Sequence, residues 1–403
     1  MKFASLAEVA LPKGLIGGPF GSSLGKKDYV ASGIPVIRGQ NLAGPRRFSP
    51  DDLVFVTEEK ADSELARNLA IPGDVIFTQR GTLGQVGVVP KQPYRTYVIS
   101  QSQMRLRVDP DKADATYIYY CFLDAGMQDT IRSHAITTGV PHINLGILGE
   151  LQVPLPSLSE QRAIAEVLGA LDDKIEANDN VALGCDQLAS AELERVLQTS
   201  ESKGTLAVVR LGDVAGVNVR TAQPEEGELS YLDIASVGVG RAEQPTGMTW
   251  AEAPSRARRA VASGDVLWST VRPNRKSHCL LLDPSPDLVV STGFAVLTPV
   301  IIGPSFLYGV TERSEFIDYL VSVADGSAYP AVRAERFTDA LVPLPEPSLL
   351  AAYESSTMPL RERRAAALRE SHYLSALRDA LLPKLLSGEL RVRKAETLVE
   401  EAV

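Results

Sequence analysis

The sequence contains little that could build a metal or disulfide site. It has three cysteines, Cys121, Cys185 and Cys279, in 403 residues, and they lie far apart along the chain. An odd number without a CxxC pair excludes a disulfide framework and the usual zinc spacings, and it favours a reducing compartment. The four histidines show no nucleophile–base arrangement. Neither a metal centre nor a nucleophilic active site is therefore indicated.

Long apolar runs and an excess of basic residues are also missing. No apolar stretch approaches the length that spans a bilayer, and residues 1–6 lack the core of a signal peptide, so we expect a cytoplasmic protein without a membrane partner. The formal net charge of −9 disfavours non-specific binding to nucleic acid. Residues 151–203 hold ten acidic and four basic side chains, so the acid is concentrated there and local basic loops remain possible elsewhere.

Several segments occur twice in the same order. Gly73-Asp-Val-Ile-Phe77 matches Gly264-Asp-Val-Leu-Trp268, and Val98-Ile-Ser-Gln101 corresponds to Val289-Val-Ser-Thr292, both at an offset of 191 residues. Thr138–Pro141 with Ser327–Pro330, and Val153-Pro-Leu-Pro with Val342-Pro-Leu-Pro, follow at an offset of 189. Four matches with a steady offset indicate duplication of one domain, because the period is far too long for a solenoid.

Each copy ends in a helical pattern. In the first, seam positions follow a 4-3 spacing that a polar Asn178 interrupts, as in a coiled coil whose register one polar residue fixes. These positions are Ile164, Leu168, Leu171, Ile175, Ala182, Cys185 and Ala189. In the second, the seam recurs every seven residues at Tyr353, Leu360, Ala367, Leu374 and Leu381. Two such helices most simply pair antiparallel as a spacer, with a kink or a late start at Pro359.

The predicted fold class is α+β, with two similar mixed-sheet domains separated by two long antiparallel coiled-coil helices. Short β-branched runs such as Ile34–Ile37 and Val86–Val89 alternate with Gly, Pro, Asn and Asp in residues 1–156 and 204–345. The predicted division is a first domain at 1–156, a helical spacer at 157–203, a second domain at 204–345, a second spacer at 346–390 and a flexible tail at 391–403. Short helices are predicted at Thr116–Asp124 and Ser314–Val323.

Motifs along nearly the whole chain carry a family resemblance. They are Gly18-Pro-Phe-Gly-Ser22, Gly33-Ile-Pro-Val-Ile-Arg-Gly-Gln-Asn41, Gly73-Asp-Val-Ile-Phe-Thr-Gln-Arg-Gly81, the helix entry Pro154–Ala165 and the closing segment Leu377–Leu390. In this order they resemble the DNA specificity (S) subunit of type I restriction-modification systems. Two departures concern the second domain and its helix: Asp233-Ile-Ala-Ser stands where the first copy has Ile37-Arg-Gly-Gln, and Pro359 interrupts a regular helix.

The resemblance implies a non-catalytic protein. The two sheet domains would be target-recognition domains that each read one half of a split site in double-stranded DNA, while the helices hold two methyltransferase (modification) subunits. Restriction/translocase subunits would complete the complex. No cofactor is then expected on this chain, and S-adenosylmethionine, ATP and Mg²⁺ belong to the partners. The sequence contains no Asn-Pro-Pro-aromatic tetrapeptide of an amino-methyltransferase.

The loops of both domains contain side chains suited to reading bases. Arginine pairs with guanine, and asparagine or glutamine with adenine, in the major groove. In the first domain the candidates are Arg38, Gln40, Asn41, Arg46, Arg47, Thr78, Gln79, Arg80, Thr82, Gln101 and Gln103, with Lys26 and Lys27 as phosphate contacts. In the second they are Arg256, Arg258, Arg259, Thr270, Arg272, Asn274, Arg275, Lys276, Tyr329 and Arg333.

Two other functions remain open at this point. Pro50-Asp51 with Glu58-Glu-Lys60 fits the loose pattern of a stand-alone metal-dependent nuclease, in which carboxylates hold Mg²⁺ and a lysine helps to activate water. The pattern is short, and a solvated turn before a helix explains it equally. A coiled-coil scaffold without DNA specificity is the other alternative, although it leaves the duplicated Arg/Gln loops unexplained.

Overall fold

A computed structural model describes residues 2–21, 23–44, 46–223, 226–326 and 329–402. Ser22 of the first motif, and Ser327 and Ala328 of the third repeat match, lie outside the described residues. The chain forms two compact units. Unit 1 comprises Met1–Asn178 and Arg369–Val403, and unit 2 comprises Asp179–Leu368. None of the described helices is long and apolar enough to cross a membrane.

Unit 1 contains ten strands and the first helices of the chain. The strands are β1 (Phe3–Ser5), β2 (Ala10–Gly17), β3 (Ile34–Ile37), β4 (Val54–Val56), β5 (Leu69–Ala70), β6 (Val75–Thr78), β7 (Val86–Val88), β8 (Tyr97–Ile99), β9 (Gln103–Val108) and β10 (Gln152–Pro154). The helices are α1 (Leu6–Val9), α2 (Glu58–Asp62), α3 (Ala115–Leu123), α4 (Ala125–Ser133), α5 (Leu145–Glu150) and the start of the long α6 (Leu158–Ser202).

Unit 2 repeats this order of elements. Its strands are β11 (Ala207–Arg210), β12 (Ala215–Val217), β13 (Glu228–Leu232), β14 (Thr246–Thr249), β15 (Ala257–Ala260), β16 (Val266–Ser269), β17 (His278–Leu280), β18 (Leu288–Ser291), β19 (Phe294–Pro299) and β20 (Leu341–Leu344). Its helices are α7 (Leu211–Val214), α8 (Pro304–Glu312), α9 (Ser314–Ser322), α10 (Ala334–Thr338) and most of α11 (Pro347–Ser387); α12 (Val392–Ala402) follows in unit 1.

The sheet topology confirms the duplication. Unit 1 has two four-stranded sheets, β2-β9-β6-β7 and β4-β3-β8-β5, and the ribbon β1-β10. Unit 2 has β12-β19-β16-β17, β14-β13-β18-β15 and the ribbon β11-β20. In each unit a single strand pair is parallel, β3 with β8 and β13 with β18, among the described strands. The strand orders are the same, so the sequence matches mark equivalent positions of one fold.

The long helices pack into both cores. In unit 1, Ile164, Leu168, Leu171 and Ile175 of α6 share a core with Leu374 and Leu381 of α11. Ala367 is 2% exposed, while Leu360 is only half-buried. In unit 2, Leu193 and Leu197 of α6 pack with Tyr353 of α11. The helical pattern predicted for 159–199 thus lies inside α6, and its apolar seam is buried.

Ion pairs and amides occupy much of the same seam. In unit 1, Arg378 donates from Nη1 to Asp172 Oδ1 at 2.8 Å, and the Tyr120 hydroxyl of α3 donates to Asp172 Oδ2 at 2.6 Å. Asn178 donates to Glu370 Oε2 at 2.9 Å, so the polar residue of the predicted seam is buried and has a partner on α11. The order of these contacts shows that the two helices run antiparallel within unit 1.

Unit 2 contains a comparable charged contact. Asp186 of α6 accepts hydrogen bonds from Arg361 Nη1 at 2.8 Å and from Arg364 Nε at 2.6 Å, both on α11. The Arg361 guanidinium also lies 4.6 Å from the Tyr308 ring centroid. In both units the acid is on α6 and the base is on α11; Asp172 is buried, whereas the Asp186 side chain is 33% exposed. This arrangement favours pairing of α6 with α11 over pairing of either helix with itself.

Two local expectations are wrong. α11 begins at Pro347 and continues through Pro359, so the late start predicted there does not occur; because the Pro359 ring and Ser355 are both exposed, water can reach the carbonyl that loses its N–H partner. The segment 391–403, expected to be a flexible tail, contains α12, whose Ala395 and Val399 are buried in the unit 1 core. Their spacing of four residues places both on one face of the helix.

Candidate nucleic-acid interface

Loops from five parts of unit 1 meet beyond the carboxyl ends of β3, β6 and β8. The Ser100 N–H donates to the Ile37 carbonyl at 3.0 Å, and the Gln79 N–H donates to the Ser102 carbonyl at 2.7 Å. The Ile143 N–H donates to the Gln79 carbonyl at 3.0 Å. We call the described parts of 18–28 and 38–53, together with 79–85, 100–102 and 134–143, the first loop cluster. It contains the candidates for the first domain except Thr78 and Gln103, which lie in β6 and β9.

Exposure divides these candidates into three groups. Lys26, Lys27, Gln40, Arg80, Thr82 and Gln101 are exposed, and Arg38, Arg46, Arg47 and Gln79 are half-buried. Asn41, Thr78 and Gln103 are at most 2% exposed, so the prediction that they contact bases is wrong for this conformation. Gln101 is exposed, but its amide nitrogen already donates to the carbonyls of Gly21 and Leu24.

The buried polar residues fix the loops instead. Asn41 accepts from the Arg38 N–H at 2.9 Å and donates to the carbonyls of Ser49 and Asp51, so it holds the segment 38–53 closed. The Thr78 hydroxyl donates to Gln85 Oε1 at 3.1 Å. Such fully bonded polar groups rigidify a loop, since breaking one leaves a buried group without a partner. A residue type that suits base reading also suits loop bracing, and the sequence alone does not separate the two roles.

Two of the arginines have protein partners. The Arg47 guanidinium pairs with Asp173 on α6, and the Arg38 guanidinium donates to the Asp52 carbonyl. Arg47 is therefore held against the helix, and a base contact would require it to leave Asp173. In this structure Arg47 connects the loop cluster to the helix of the same unit, and its role as a base reader stays a prediction.

Unit 2 contains an equivalent arrangement. The Thr270 N–H donates to the Gly293 carbonyl at 2.9 Å, the Thr292 N–H to the Arg256 carbonyl at 2.8 Å and the Arg272 N–H to the Pro330 carbonyl at 2.7 Å. We call residues 233–243, 253–256, 270–277, 292–293 and the described part of 325–333 the second loop cluster. Arg80 faces His142 across a β-bridge in unit 1, and Val271 faces Ala331 in the same way in unit 2.

The second cluster has a strongly cationic exposed surface. Arg256, Asn274, Arg275, Lys276, Tyr329 and Arg333 are exposed, and Thr270 and Arg272 are half-buried. Arg258 and Arg259 were predicted in a loop, but they lie in β15, and Arg258 donates to the Ala257 carbonyl. Thr270 uses its hydroxyl on the Gly293 carbonyl at 2.8 Å. Arg258, Arg259 and Thr270 are half-buried, and their contact with DNA stays a prediction.

Arg272 combines an aromatic contact with an unusual backbone. Its guanidinium carbon lies 4.5 Å from the centroid of the Tyr329 ring, which is 71% exposed. Its φ of 52° lies in the left-handed region, and the offset of 191 places Gly81, with φ of 99°, at the matching position of unit 1. A residue other than glycine at positive φ strains the backbone and lowers stability. Such strain is typical of functional positions.

Comparing Arg272→Gly with Arg272→Ala is therefore expected to separate the effect of the backbone strain on stability from the effect of the lost guanidinium on DNA recognition. Relative to Arg272→Ala, which keeps the Cβ, the glycine variant should gain about 1 kcal/mol in free energy of unfolding. Both variants lose the guanidinium, so both should lose discrimination at the second half-site. Chemical unfolding measures the first effect and sequencing of methylated motifs the second. Equal stability of the two variants would contradict the strained backbone.

His278 packs beneath the turn that carries Lys276 in the second loop cluster, and no pattern in the sequence marks it. The imidazole lies flat on Trp268, with 4.5 Å between ring centroids, and its Nδ1 is 2.7 Å from the Lys276 carbonyl. Its Nε2 is 3.1 Å from Glu312 on α8. Burial raises the pKa of Glu312, but the hydrogen bond from His278 and the nearby Arg361 outweigh burial and lower it overall. His278 thus connects the cationic turn to the carboxylate of α8.

The nuclease alternative is not supported by the geometry. Lys60 pairs with Asp28 at 3.3 Å and Glu64 at 2.9 Å, and Asp51 accepts from the Ser49 hydroxyl at 2.9 Å. The described part of the chain contains no group of three or more His, Cys, Asp or Glu side chains that could hold a metal ion. Asp51, Glu58, Glu59 and Lys60 therefore act as parts of a turn and of the start of α2.

Comparisons with known proteins agree with this architecture. Residues 23–183 match the type I restriction modification DNA specificity domain. The type I restriction enzyme MjaIX specificity subunit of Methanocaldococcus jannaschii is 25% identical over 397 residues, covering 91% of this chain and 89% of that protein. The MjaVIII specificity subunit of the same organism is 19% identical over 320 residues, covering 73% of this chain and 75% of that protein.

A solved structure shares the fold. The crystal structure of the type I restriction-modification system S subunit from M. genitalium aligns with a TM-score of 0.59 at 17% sequence identity, covering 95% of each chain. Its likeness extends over both units, whereas the matched domain covers mainly the first. Residues 23–183 thus match the type I restriction modification DNA specificity domain, and the chain is similar to type I specificity subunits over nearly its whole length.

Proposed function

We propose that this chain is the non-catalytic specificity subunit of a type I restriction-modification complex. It would read a bipartite target in double-stranded DNA and direct adenine methylation and restriction by partner subunits. The observation that carries the proposal is the duplication of one loop cluster, with exposed Arg, Lys and Gln side chains, at equivalent strand ends of two units. A scaffold would need neither the duplication nor the cationic loops.

The chemistry of the exposed side chains suits the major groove. Arg80 and Arg275 offer forked donors to guanine, Gln40 offers the amide that pairs with adenine, and Lys26 and Lys27 would hold phosphates. If each domain enters a groove on one face of the duplex, the half-sites lie roughly 10 bp apart, centre to centre. With about three or four base pairs read by each domain, about six to eight remain unread between them.

The partners supply the chemistry. We expect two modification subunits, which bind S-adenosylmethionine, along the helices α6 and α11, and restriction/translocase subunits that use ATP and Mg²⁺. The acidic character of 151–203 supports a protein partner along α6, because negative charge repels phosphate.

Arg80→Ala tests the assignment of one half-site to one domain. Arg80 is exposed in the first loop cluster, so its loss should relax or abolish recognition of one half-site by about 1–3 kcal/mol of discrimination and leave the other unchanged. The measurement is the methylated motif in cells that express the variant complex. A matched control is Arg95→Ala, an exposed arginine before β8 at the opposite strand end. Equal change in both half-sites would make Arg80 structural.

A further inference from the structure

Phe20 is exposed at the tip of the loop that follows β2. Its side chain is 87% exposed, more than any other large hydrophobic residue in the described ranges. Single exposed apolar residues are common on protein surfaces, so the exposure alone assigns no role. The surroundings of Phe20 distinguish it from such residues.

The loop holds Phe20 in place from both sides. The Gly18 N–H donates to the Gln103 carbonyl at 2.8 Å, and a Cβ at Gly18 would lie 2.0 Å from the Ser100 carbonyl oxygen. After Phe20, Gln101 donates from its side chain to the carbonyls of Gly21 and Leu24. The segment 100–103 is therefore in contact with the loop both before and after Phe20. An exposed aromatic ring is unfavourable in water. A loop that already holds the ring in one position lowers the entropic cost of binding a partner.

The charges around Phe20 match duplex DNA. Lys26 and Lys27 are exposed in the same loop. Asp28 is the nearest acid in sequence, and the Gly25 N–H bonds to its carboxylate, which lowers its pKa, while Lys60 pairs with it at 3.3 Å. The segment 100–103 also binds the Arg80 loop, through the Gln79 N–H and the Ser102 carbonyl. The loop that carries Phe20 and the two lysines, and the loop that carries Arg80, are thus both hydrogen-bonded to segment 100–103.

We propose that Phe20 is an apolar wedge that enters the DNA base stack at the first half-site. This rests on the proposed function and adds a reading mechanism to it. A ring pushed between base pairs unstacks one step, and the cost is lowest at flexible pyrimidine–purine steps. Phe20 would then select for the deformability of a step while the lysines hold the flanking phosphates. The described residues of unit 2 contain no exposed phenylalanine, and the exposed ring of Tyr329 has the Arg272 guanidinium over it, so the second half-site serves as an internal control.

The test uses the complete complex and a duplex that carries its methylated motif. 2-Aminopurine replaces single bases of each half-site in turn, except the methylated adenine, which the methyltransferase extrudes. We expect a fluorescence rise at one step of the first half-site only. Phe20→Ala should abolish the rise and weaken binding about 10-fold to 100-fold, and Phe20→Trp should keep both. Phe3→Ala, an exposed phenylalanine on β1, should leave the rise unchanged.

The outcomes separate the wedge from the proposed function. If the wild-type complex binds the motif no better than a scrambled duplex, the proposed function fails, and the wedge fails with it. If it binds the motif but no position brightens, or Phe20→Ala keeps the rise, only the wedge is overturned. A third outcome also overturns the wedge: no position brightens, and replacing one thymine by uracil weakens binding as much as Phe20→Ala does. Phe20 would then contact the thymine methyl group instead of entering the base stack.

Discussion

Replacing Arg378 by methionine is expected to lower the free energy of unfolding by about 3–5 kcal/mol, because it leaves the Asp172 carboxylate buried without its cation. The Asp172 side chain is 3% exposed and that of Arg378 is 11% exposed. Burial alone would lower the pKa of Arg378, but Asp172 and Asp379 raise it overall, so Arg378 keeps its charge. Chemical unfolding followed by circular dichroism measures the loss.

A matched substitution on the same helix provides the control. Arg369→Met changes an exposed arginine of α11 in unit 1 and should alter stability by at most about 0.5 kcal/mol. The combination Arg378→Met, Asp172→Leu and Tyr120→Phe removes all three polar partners and should recover most of the loss, since a well-packed apolar replacement of a buried ion pair is often neutral or better. A loss no larger than that of Arg369→Met would contradict a structural role for the pair.

Lengthening both long helices by seven residues should change the unread gap and leave both half-sites intact. The insertions belong between Asn178 and Asp179 in α6 and between Leu368 and Arg369 in α11, where the chain divides into its two units. Each unit then keeps its own contacts, Asp172–Arg378 in one and Asp186–Arg361 in the other. Seven helical residues add about 10 Å, or about three base pairs, and nearly preserve the rotational phase.

The motif methylated by the lengthened complex gives the answer. We expect the same two half-sites separated by a longer gap. A heptad in α6 alone is the control, because it moves the unit 1 and unit 2 contacts of α6 out of register with α11 and should lower stability instead. An unchanged gap in a folded, active double insertion would refute the spacer role of the helices.

The sequence predicted the fold where its signals are local and repeated. The 4-3 spacing from Ile164 to Ala189 lies within α6, and the short helices predicted at Thr116–Asp124 and Ser314–Val323 correspond to α3 and α9. The repeat offsets found equivalent strands, because a duplicated chain conserves glycine turns such as Gly73 and Gly264, both of which have positive φ.

The remaining features depend on tertiary contacts. Arg378 and Arg361 are ordinary surface residues by composition, and only the facing carboxylates of α6 make them buried partners. α12 places Val392, Ala395, Val399 and Ala402 against the unit 1 core, and this i, i+3, i+7, i+10 spacing is a helical signal that the prediction of a flexible tail overlooked. Asn41 and Gln103 have the side chains of base readers, and their burial follows from loop closure that no pattern in the sequence encodes.

Sequencing of methylated bases, in DNA from cells that express this chain with its neighbouring modification subunit, tests the central claim most directly. The account predicts a split motif whose two halves lie on either side of an unread gap and which disappears when this chain is deleted. A continuous motif, or no motif from a complex whose modification subunit is expressed and soluble, would contradict the reading of DNA by two duplicated loop clusters.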